Sequence, residues 1–348
     1  MRTDTKAILR TVLSVSMLVA AGLAAAQQIT TVNLTAQRAT AKLPDGKTVP
    51  MWNYCSTGVT NAITDGSAQL GTAVGSACSA AWAPGPTITV PSGGSLTINL
   101  NNTLPVPTSL VVLGQLGGGL GTPTRMPSPA HSGQASSTFV GQGPAGPFTP
   151  PTQADRVKSF GTEVGTGAAV ALNWTNLKPG TYLYETGTMP SLQAPMGLYG
   201  VLVVTQAPVP VGTVVAGTPT TTFAAGIAYP GISYDSDATL LFSEIDPVQN
   251  AAVDAAAVDG ANTSKRFNDP TCSPNSKCYP AAVNYAPTYF MINGQAFDKS
   301  NPGASSYAVG SAYSTGNVLM RFLNAGSDGM GNQQDAIRQV LGFPAPAA

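Results

Sequence analysis

The segment 94–104, "GSLTINLNNTL", alternates Leu96, Ile98 and Leu100 with Thr97 and Asn99. A period of two puts the apolar side chains on one face of a strand and the polar ones on the other. Such a strand needs a second layer over its apolar face. The same demand recurs along the chain. "QITTVNLTAQRATAKL" (28–43) alternates, "PDGKTVPMWNY" (44–54) carries an Asp-Gly turn before a short apolar strand, and "PTITV" (86–90) is another strand. "TSLVVLGQL" (108–116) is apolar almost throughout, the pattern of a strand buried on both faces. "AAVALNW" (168–174), "GTYLYET" (180–186) and "GLYGVLVV" (197–204) continue the series. "ATLLFSEID" (238–246), "PTYFMING" (287–294) and "NVLMRFLNAG" (317–326) extend it into the second half. Each run is too short for a stable helix. The 38 Gly and 29 Pro residues, about a fifth of the chain, supply the turns between them. The expected fold is all-β, built as Greek-key sandwiches, with one short helix in 246–264.

The amino terminus reads differently. Arg2, Lys6 and Arg10 precede a run of apolar and small residues from Val12, and Ala24-Ala25-Ala26 stands before Gln27. That is a secretory signal at 1–26, with an A-x-A cleavage site. The run is shorter than a membrane span and is interrupted by Ser14 and Ser16, so no integral membrane segment is expected after cleavage. The chain is expected to be secreted, periplasmic or held at the cell surface. The remaining 322 residues suggest two units. The first covers 27–207 and contains a long Gly/Pro-rich loop at 117–153; a Pro/Gly/Thr-rich linker follows at 208–218. The second, 219–348, yields only three or four strands where a sandwich uses about seven. Its pattern stops after Gly326, and the tail from Ser327 alternates nowhere.

Charge and rare residues bound the chemistry. Charged residues make up 9% of the chain, net charge is zero and there is no basic run, which leaves no footprint for nucleic acid or an anionic membrane. The four cysteines fall into two pairs, and in an exported chain Cys55–Cys78 and Cys272–Cys278 read as disulfides. Thiolate metal ligation lacks partners, because the chain has a single histidine. That residue, His131, sits in the Gly/Pro-rich loop and reads as a solvated side chain. A Ser-His-Asp triad would have to use it, and no G-x-S-x-G sequence accompanies it. "GQLGGGLG" (114–121) lacks the βαβ context of a dinucleotide loop. Met189, Met196 and Met291 show no M-x-x-M clustering and read as core fillers. Glu185, at the end of a strand, reads as a surface or loop-pinning carboxylate bonded to nearby backbone. Asn173-Trp174-Thr175 and Asn262-Thr263-Ser264 are sequons, relevant only in a glycosylating host.

"DGKTVPMWNY", "GPTITVPSGGSLTINLNNTLPVPTSL", "GTYLYETGTMPSLQAPMGLYGVLVV", "YFMINGQAF" and "NVLMRFLNAG" stand in the order and spacing of a known family. The chain resembles the first one and a half cupredoxin domains of multicopper oxidases, above all the large bacterial branch associated with manganese oxidation. The resemblance covers about 44–204 well and 219–326 moderately. It implies a cupredoxin-like sandwich followed by an incomplete second one. In that family the segment after P-T-S-L reads His-Trp-His-Gly, and here it is Val111-Val112-Leu113-Gly114. The segment after G-T-Y-x-Y reads His-Ser-His-Thr, and here it is Glu185-Thr186-Gly187-Thr188. The positions of the copper ligands are thus held by Val111, Leu113, Glu185 and Gly187, with Val and Leu expected to fill the space as core. A copper centre needs several imidazoles or a thiolate with imidazoles, so no cofactor is expected in this chain.

Two functions follow as expectations. One is a copper-free amino-terminal portion of a larger metal oxidase, acting on Mn(II) or a similar substrate through copper held in later domains. The other is a non-enzymatic cupredoxin module that meets further cupredoxin domains or a protein partner at an open sheet edge. Copper ligands supplied by another subunit would require that partner to provide almost every imidazole.

Overall fold

The computed structural model of the chain describes residues 28–62, 70–115, 121–127, 154–211, 222–259, 278–298, 300 and 316–326. The leader at 1–26, His131, Cys272, Asn262 and the tail from Ser327 lie outside the described residues, as do 128–153 and 212–221.

The first half contributes β1 (Ile29–Lys42), β2 (Thr48–Ala62), β3 (Thr72–Val74), β4 (Thr87–Val90), β5 (Ser95–Asn102), β6 (Val111–Val112) and β7 (Thr124–Met126). It continues with β8 (Arg156–Ser159), β9 (Ala169–Trp174), β10 (Gly180–Glu185), a one-turn helix α1 (Pro190–Gln193) and β11 (Tyr199–Val204). Two sheets form, in the orders β2-β1-β5-β9 and β3-β4-β11-β10-β6. Strand β1 runs antiparallel to β2 from Ile29↔Ala62 to Lys42↔Thr48 and parallel to β5 from Ile29↔Ser95 to Ala36↔Asn102. Between β1 and β5 the chain visits the opposite sheet through β3 and β4 and then returns. Strand β4 likewise lies parallel to β11. These crossovers make the Greek-key, cupredoxin-like sandwich that the sequence leads one to expect.

The alternation seen at 94–104 is realised directly. Leu96, Ile98 and Leu100 are fully buried in the core between the sheets with Val32, Leu34, Trp52 and Trp174, while Thr97 and Asn99 are partly exposed. Strand β11 is buried at all six positions because it serves two cores. Leu202 and Val204 face the inside of the sandwich, whereas Tyr199, Val201 and Val203 face outward into a second cluster. Strand β2 divides in the same way, with Trp52 and Tyr54 inward and Val49 and Met51 outward.

That second cluster joins the two halves. The later chain contains β12 (Val209–Val211), β13 (Thr222–Ala224), β14 (Gly226–Tyr229), β15 (Ile232–Tyr234) and β16 (Ser236–Ile245). After these come helix α2 (Pro247–Val258), β17 (Tyr289–Ile292), β18 (Gln295–Ala296) and β19 (Val318–Asn324). Strand β12 begins the stretch read as a linker and pairs with β13. The main sheet has the order β18-β17-β16-β19, with β19 parallel to β16. Leu241 and Ile245 of β16 and Met291 of β17 complete the cluster formed by Val49, Met51, Trp82 and Val201. The second sheet is therefore stacked on the outside of the first sandwich. On its other face Val318, Met320 and Phe322 of edge strand β19 are exposed, while their neighbours Ala238, Leu240 and Phe242 on β16 are buried.

Helix α2 starts where its sequence dictates. Pro247 occupies the first turn, and the Asp246 side chain accepts hydrogen bonds from the Val248 and Gln249 amides. Three differences from the sequence reading stand out. The second half, expected to yield three or four strands, has seven among the described residues, β13 to β19, because several are too short to show a period of two. The expected doubly buried strand at 108–116 is reduced to Val111–Val112. It is the edge of its sheet, and Gly114, at φ +85°, turns the chain away immediately afterwards. Inside the Gly/Pro-rich stretch, β7 pairs with β8.

Candidate functional site

The two segments that carry ligand positions in the resembled family meet at one end of the sandwich. Strand β6 pairs antiparallel with β10, matching Val111 to Glu185 and Val112 to Tyr184. Beyond the ladder, the Leu113 amide donates to the Leu183 carbonyl at 2.9 Å. Val111 is buried, but Leu113 is 46% exposed. The expectation that both alkyl side chains fill a core is thus corrected for Leu113, because the edge position of β6 turns it to solvent.

Behind this ladder lies a group of buried polar side chains that motif reading missed. Thr108, Ser109, Ser159, Thr186, Thr188 and Gln193 are all buried. The hydroxyls of Ser109, Ser159 and Thr188 lie 3.0 Å from one another. Ser159 also donates to the Gly161 carbonyl at 2.8 Å. Thr108 and Thr186 both donate to Gln193 Oε1, at 2.8 and 3.0 Å, and Gln193 Nε2 donates to the Pro107 carbonyl at 2.9 Å. Each hydroxyl therefore finds its partners within the protein, as buried polar groups must. Helix α1 exists to deliver Gln193: Met189 precedes it in the left-handed region at φ 39°, and Pro190 opens its single turn. The sequence signal was weak because isolated Ser and Thr near strand ends look like loop polarity.

Two tyrosines close the network from the core side. Tyr54 donates to the Ser109 carbonyl at 2.5 Å, Tyr184 donates to the Pro86 carbonyl at 2.8 Å, and their ring centroids are 6.0 Å apart. Burial pushes both phenols well above their ordinary range, so they remain protonated donors.

Glu185 differs from its expected role. Its carboxylate has no hydrogen-bond or ion-pair partner among the described residues, and burial raises its pKa above the usual carboxylate value. Among the described residues the expected backbone bond is not made. Met196 is fully buried in the inner core, with Met189 packed against it, whereas Met291 belongs to the outer cluster. The three thioethers are packing elements of two different cores.

The donor set does not fit copper. The Val111 side chain and Gly187, which has none, offer no side-chain lone pair, Leu113 faces solvent, and Glu185 is a hard oxygen donor. The space is closed as well: a Cβ on Gly187 would come within 2.8 Å of Val111 Cγ1 and 2.9 Å of Ser109 Oγ. Among the described residues, no three His, Cys, Asp or Glu side chains gather in a group that could hold a metal ion.

Two further constraints tie the site to the rest of the molecule. Cys55 and Cys78 form a disulfide with Cα atoms 4.9 Å apart, holding the segment after β3 against β2. Cys278 is also disulfide-bonded. Helix α2 packs onto the inner core through Val253, Ala256 and Ala257, and its Asp254 accepts two hydrogen bonds from Arg38, at 2.8 and 2.6 Å, and one from Trp52 Nε1 at 3.0 Å. Trp82 Nε1 in turn donates to the Trp52 carbonyl at 2.9 Å, passing over Gly197, where any Cβ would collide with the indole.

No family model and no curated protein matches the chain. Solved structures do. A copper nitrite reductase from Nitrosomonas europaea is 15% identical at a TM-score of 0.43, with 86% of this chain and 69% of that one covered. A laccase from Botrytis aclada is 16% identical at a TM-score of 0.42, with 86% and 39% covered. A multi-copper oxidase from Pseudomonas thermotolerans is 11% identical at a TM-score of 0.37, with 86% and 47% covered. The chain thus spans less than half the length of those two oxidases. These are likenesses of architecture, and the fold assignment stands on the strand order and register above. No helix among the described residues is long and apolar enough to cross a membrane.

Proposed function

We propose that this chain is a copper-free cupredoxin scaffold, the amino-terminal portion of a multicopper-oxidase-type protein, and that it catalyses no oxidation by itself. The observation that carries the reading is the closed junction of β6 and β10. There Val111, Glu185 and Gly187 replace imidazoles, and a self-satisfied Ser/Thr/Gln network packs behind them. Oxidation of Mn(II) or another one-electron donor would belong to copper held elsewhere in a longer protein. Export is part of the proposal, and the Cys55–Cys78 disulfide suits an oxidising compartment. Titration of the purified chain with Cu(II) and Cu(I) tests it. The expected result is no intense blue absorption and no stoichiometric uptake; tight one-to-one binding overturns the reading.

A second reading has an observation of its own. Val318, Met320 and Phe322 form an exposed apolar row on edge strand β19. This favours a non-enzymatic module that meets further cupredoxin strands or a protein partner there. Concentration-dependent sedimentation of the intact chain separates it from the first.

A further inference from the structure

Export, as proposed above, fixes the first residue of the mature protein. Cleavage after Ala24-Ala25-Ala26 leaves Gln27 with a free α-amine; Gln27 itself lies outside the described residues. We infer that this new terminus is a modification site, where Gln27 closes on itself to a neutral pyroglutamyl lactam and leaves the exported chain without an α-ammonium. The assignment rests on the export proposal and on the surroundings of the next residue, Gln28.

The fold begins abruptly beside the cleavage site. Gln28 is only 5% exposed, and neither polar atom of its carboxamide has a hydrogen-bond partner among the described residues. Its carbonyl accepts from the Ser95 amide at 2.8 Å. Both ladders of β1 start one residue later, at Ile29↔Ala62 and Ile29↔Ser95. The described residues that meet this start, Asn61 and Ala62 of β2 and the turn from Pro91 to Ser95, include no carboxylate. An ammonium one peptide away from Gln28 therefore loses hydration without gaining a counter-charge. A lactam carries no charge and removes that cost.

The ring closure needs no co-reactant. An α-amine with its ordinary pKa of about 7.7–8.0 is partly free base at neutral pH. That nitrogen attacks the side-chain carbonyl carbon of Gln27 and forms a C–N bond. The bond from that carbon to Nε2 breaks, the departing nitrogen takes up the proton that the amine loses, and it leaves as ammonia. Nucleophile and carbonyl belong to one residue, which gives the step the advantage of an intramolecular reaction. Before cleavage the same nitrogen is an amide bonded to Ala26 and cannot attack, so the ring forms only after the leader is removed.

The full chain with its own leader, secreted by a bacterial host, provides the test. Edman degradation of the intact protein should find no free terminus. Its first tryptic peptide should run from Gln27 to Arg38 at the calculated mass less one ammonia. Gln27→Asn, whose side chain is too short to close an unstrained ring, should give the same start at full mass with a readable terminus. Pyroglutamyl peptidase should release the lactam from the isolated peptide, but at least about tenfold more slowly from the folded chain, because reaching that bond requires pulling the start of β1 off β5. A chain that starts at Gln27 with a readable amine overturns the lactam and leaves the export proposal standing. A chain that starts elsewhere, or keeps its leader, overturns both. Equal release from peptide and folded chain means that the start of β1 is open, and it overturns the assignment.

Discussion

Val111 stands directly opposite Glu185 across the β6–β10 ladder, an alkyl group beside a half-buried carboxylate without a partner among the described residues. Burial raises the carboxyl pKa, so the folded state favours the protonated form. The sign follows. Any stability linked to this group is fully present below the unfolded value of about 4.3, and it is lost as pH rises through the raised folded value. Glu185→Gln should therefore raise the melting temperature at pH 7 and leave it nearly unchanged at pH 3.5. Scanning calorimetry of variant and wild type at both pH values measures the difference. A lower melting temperature for the variant at pH 7 contradicts it.

The hydroxyl network behind this pair should be costly to break. Thr188→Val keeps the side-chain shape and removes the bonds to Ser109 and Ser159. Two buried hydroxyls are left short of a partner, which costs about 1–3 kcal/mol. Thr188→Ser retains the oxygen and should recover most of that. Urea titrations report both as midpoint shifts at constant slope. A Val variant as stable as wild type means the network contributes no net stability.

Asp254 pins α2 to the first sandwich, whose inner core Val253, Ala256 and Ala257 join, through Arg38 and the buried Trp52 indole. Arg38 is half exposed, at 50%, while Asp254 is only 10% exposed, so the ion pair itself is partly screened by solvent. The indole bond is the less replaceable contact. Asp254→Ala should cost about 2 kcal/mol by stranding Trp52 Nε1, and Asp254→Asn clearly less, because an amide oxygen still accepts that proton. Equal losses for the two variants would assign the stabilisation to charge instead.

The Cys55–Cys78 bond closes a loop across a sequence separation of 23 residues. By the chain-entropy relation, its removal should cost about 3 kcal/mol. Cys55→Ser with Cys78→Ser, compared with wild type in guanidinium, gives that number. Unchanged stability would mean the loop is already ordered in the unfolded chain.

Period-two alternation was sufficient for the sandwich because Leu96, Ile98 and Leu100 each have only one side on which to be buried. It was insufficient at 108–116, where an apolar run gave no sign that Gly114 would turn the chain and leave Leu113 in solvent. The double duty of β11 was legible only as uniform apolarity; which core each residue serves depends on a sheet contributed from beyond residue 236. At the site, the loss of imidazoles could be read from residue types alone. Thr108, Ser109, Ser159, Thr186, Thr188 and Gln193 come from four separate segments, and only the fold brings their hydroxyls and amide together. Asp254 and Trp52 are 202 positions apart, and no local pattern links them.

The face opposite the outer cluster makes the last prediction. Phe322 is 57% exposed on β19 and stacks on Phe242 with ring centroids 6.3 Å apart and planes 6° from parallel. Val318 and Met320, at 48% and 41%, lie along the same side of the strand. An edge strand with such a row both offers apolar area and presents backbone groups to another strand. Phe322→Thr keeps strand propensity while removing the largest apolar group. It should lower intrinsic stability by about 1 kcal/mol through the lost ring pair. Self-association should fall at the same time, so sedimentation velocity over a concentration series should show the variant staying monomeric where wild type associates. If both remain monomeric, the row is not an adhesive surface, and an interaction role for this sheet loses its physical basis.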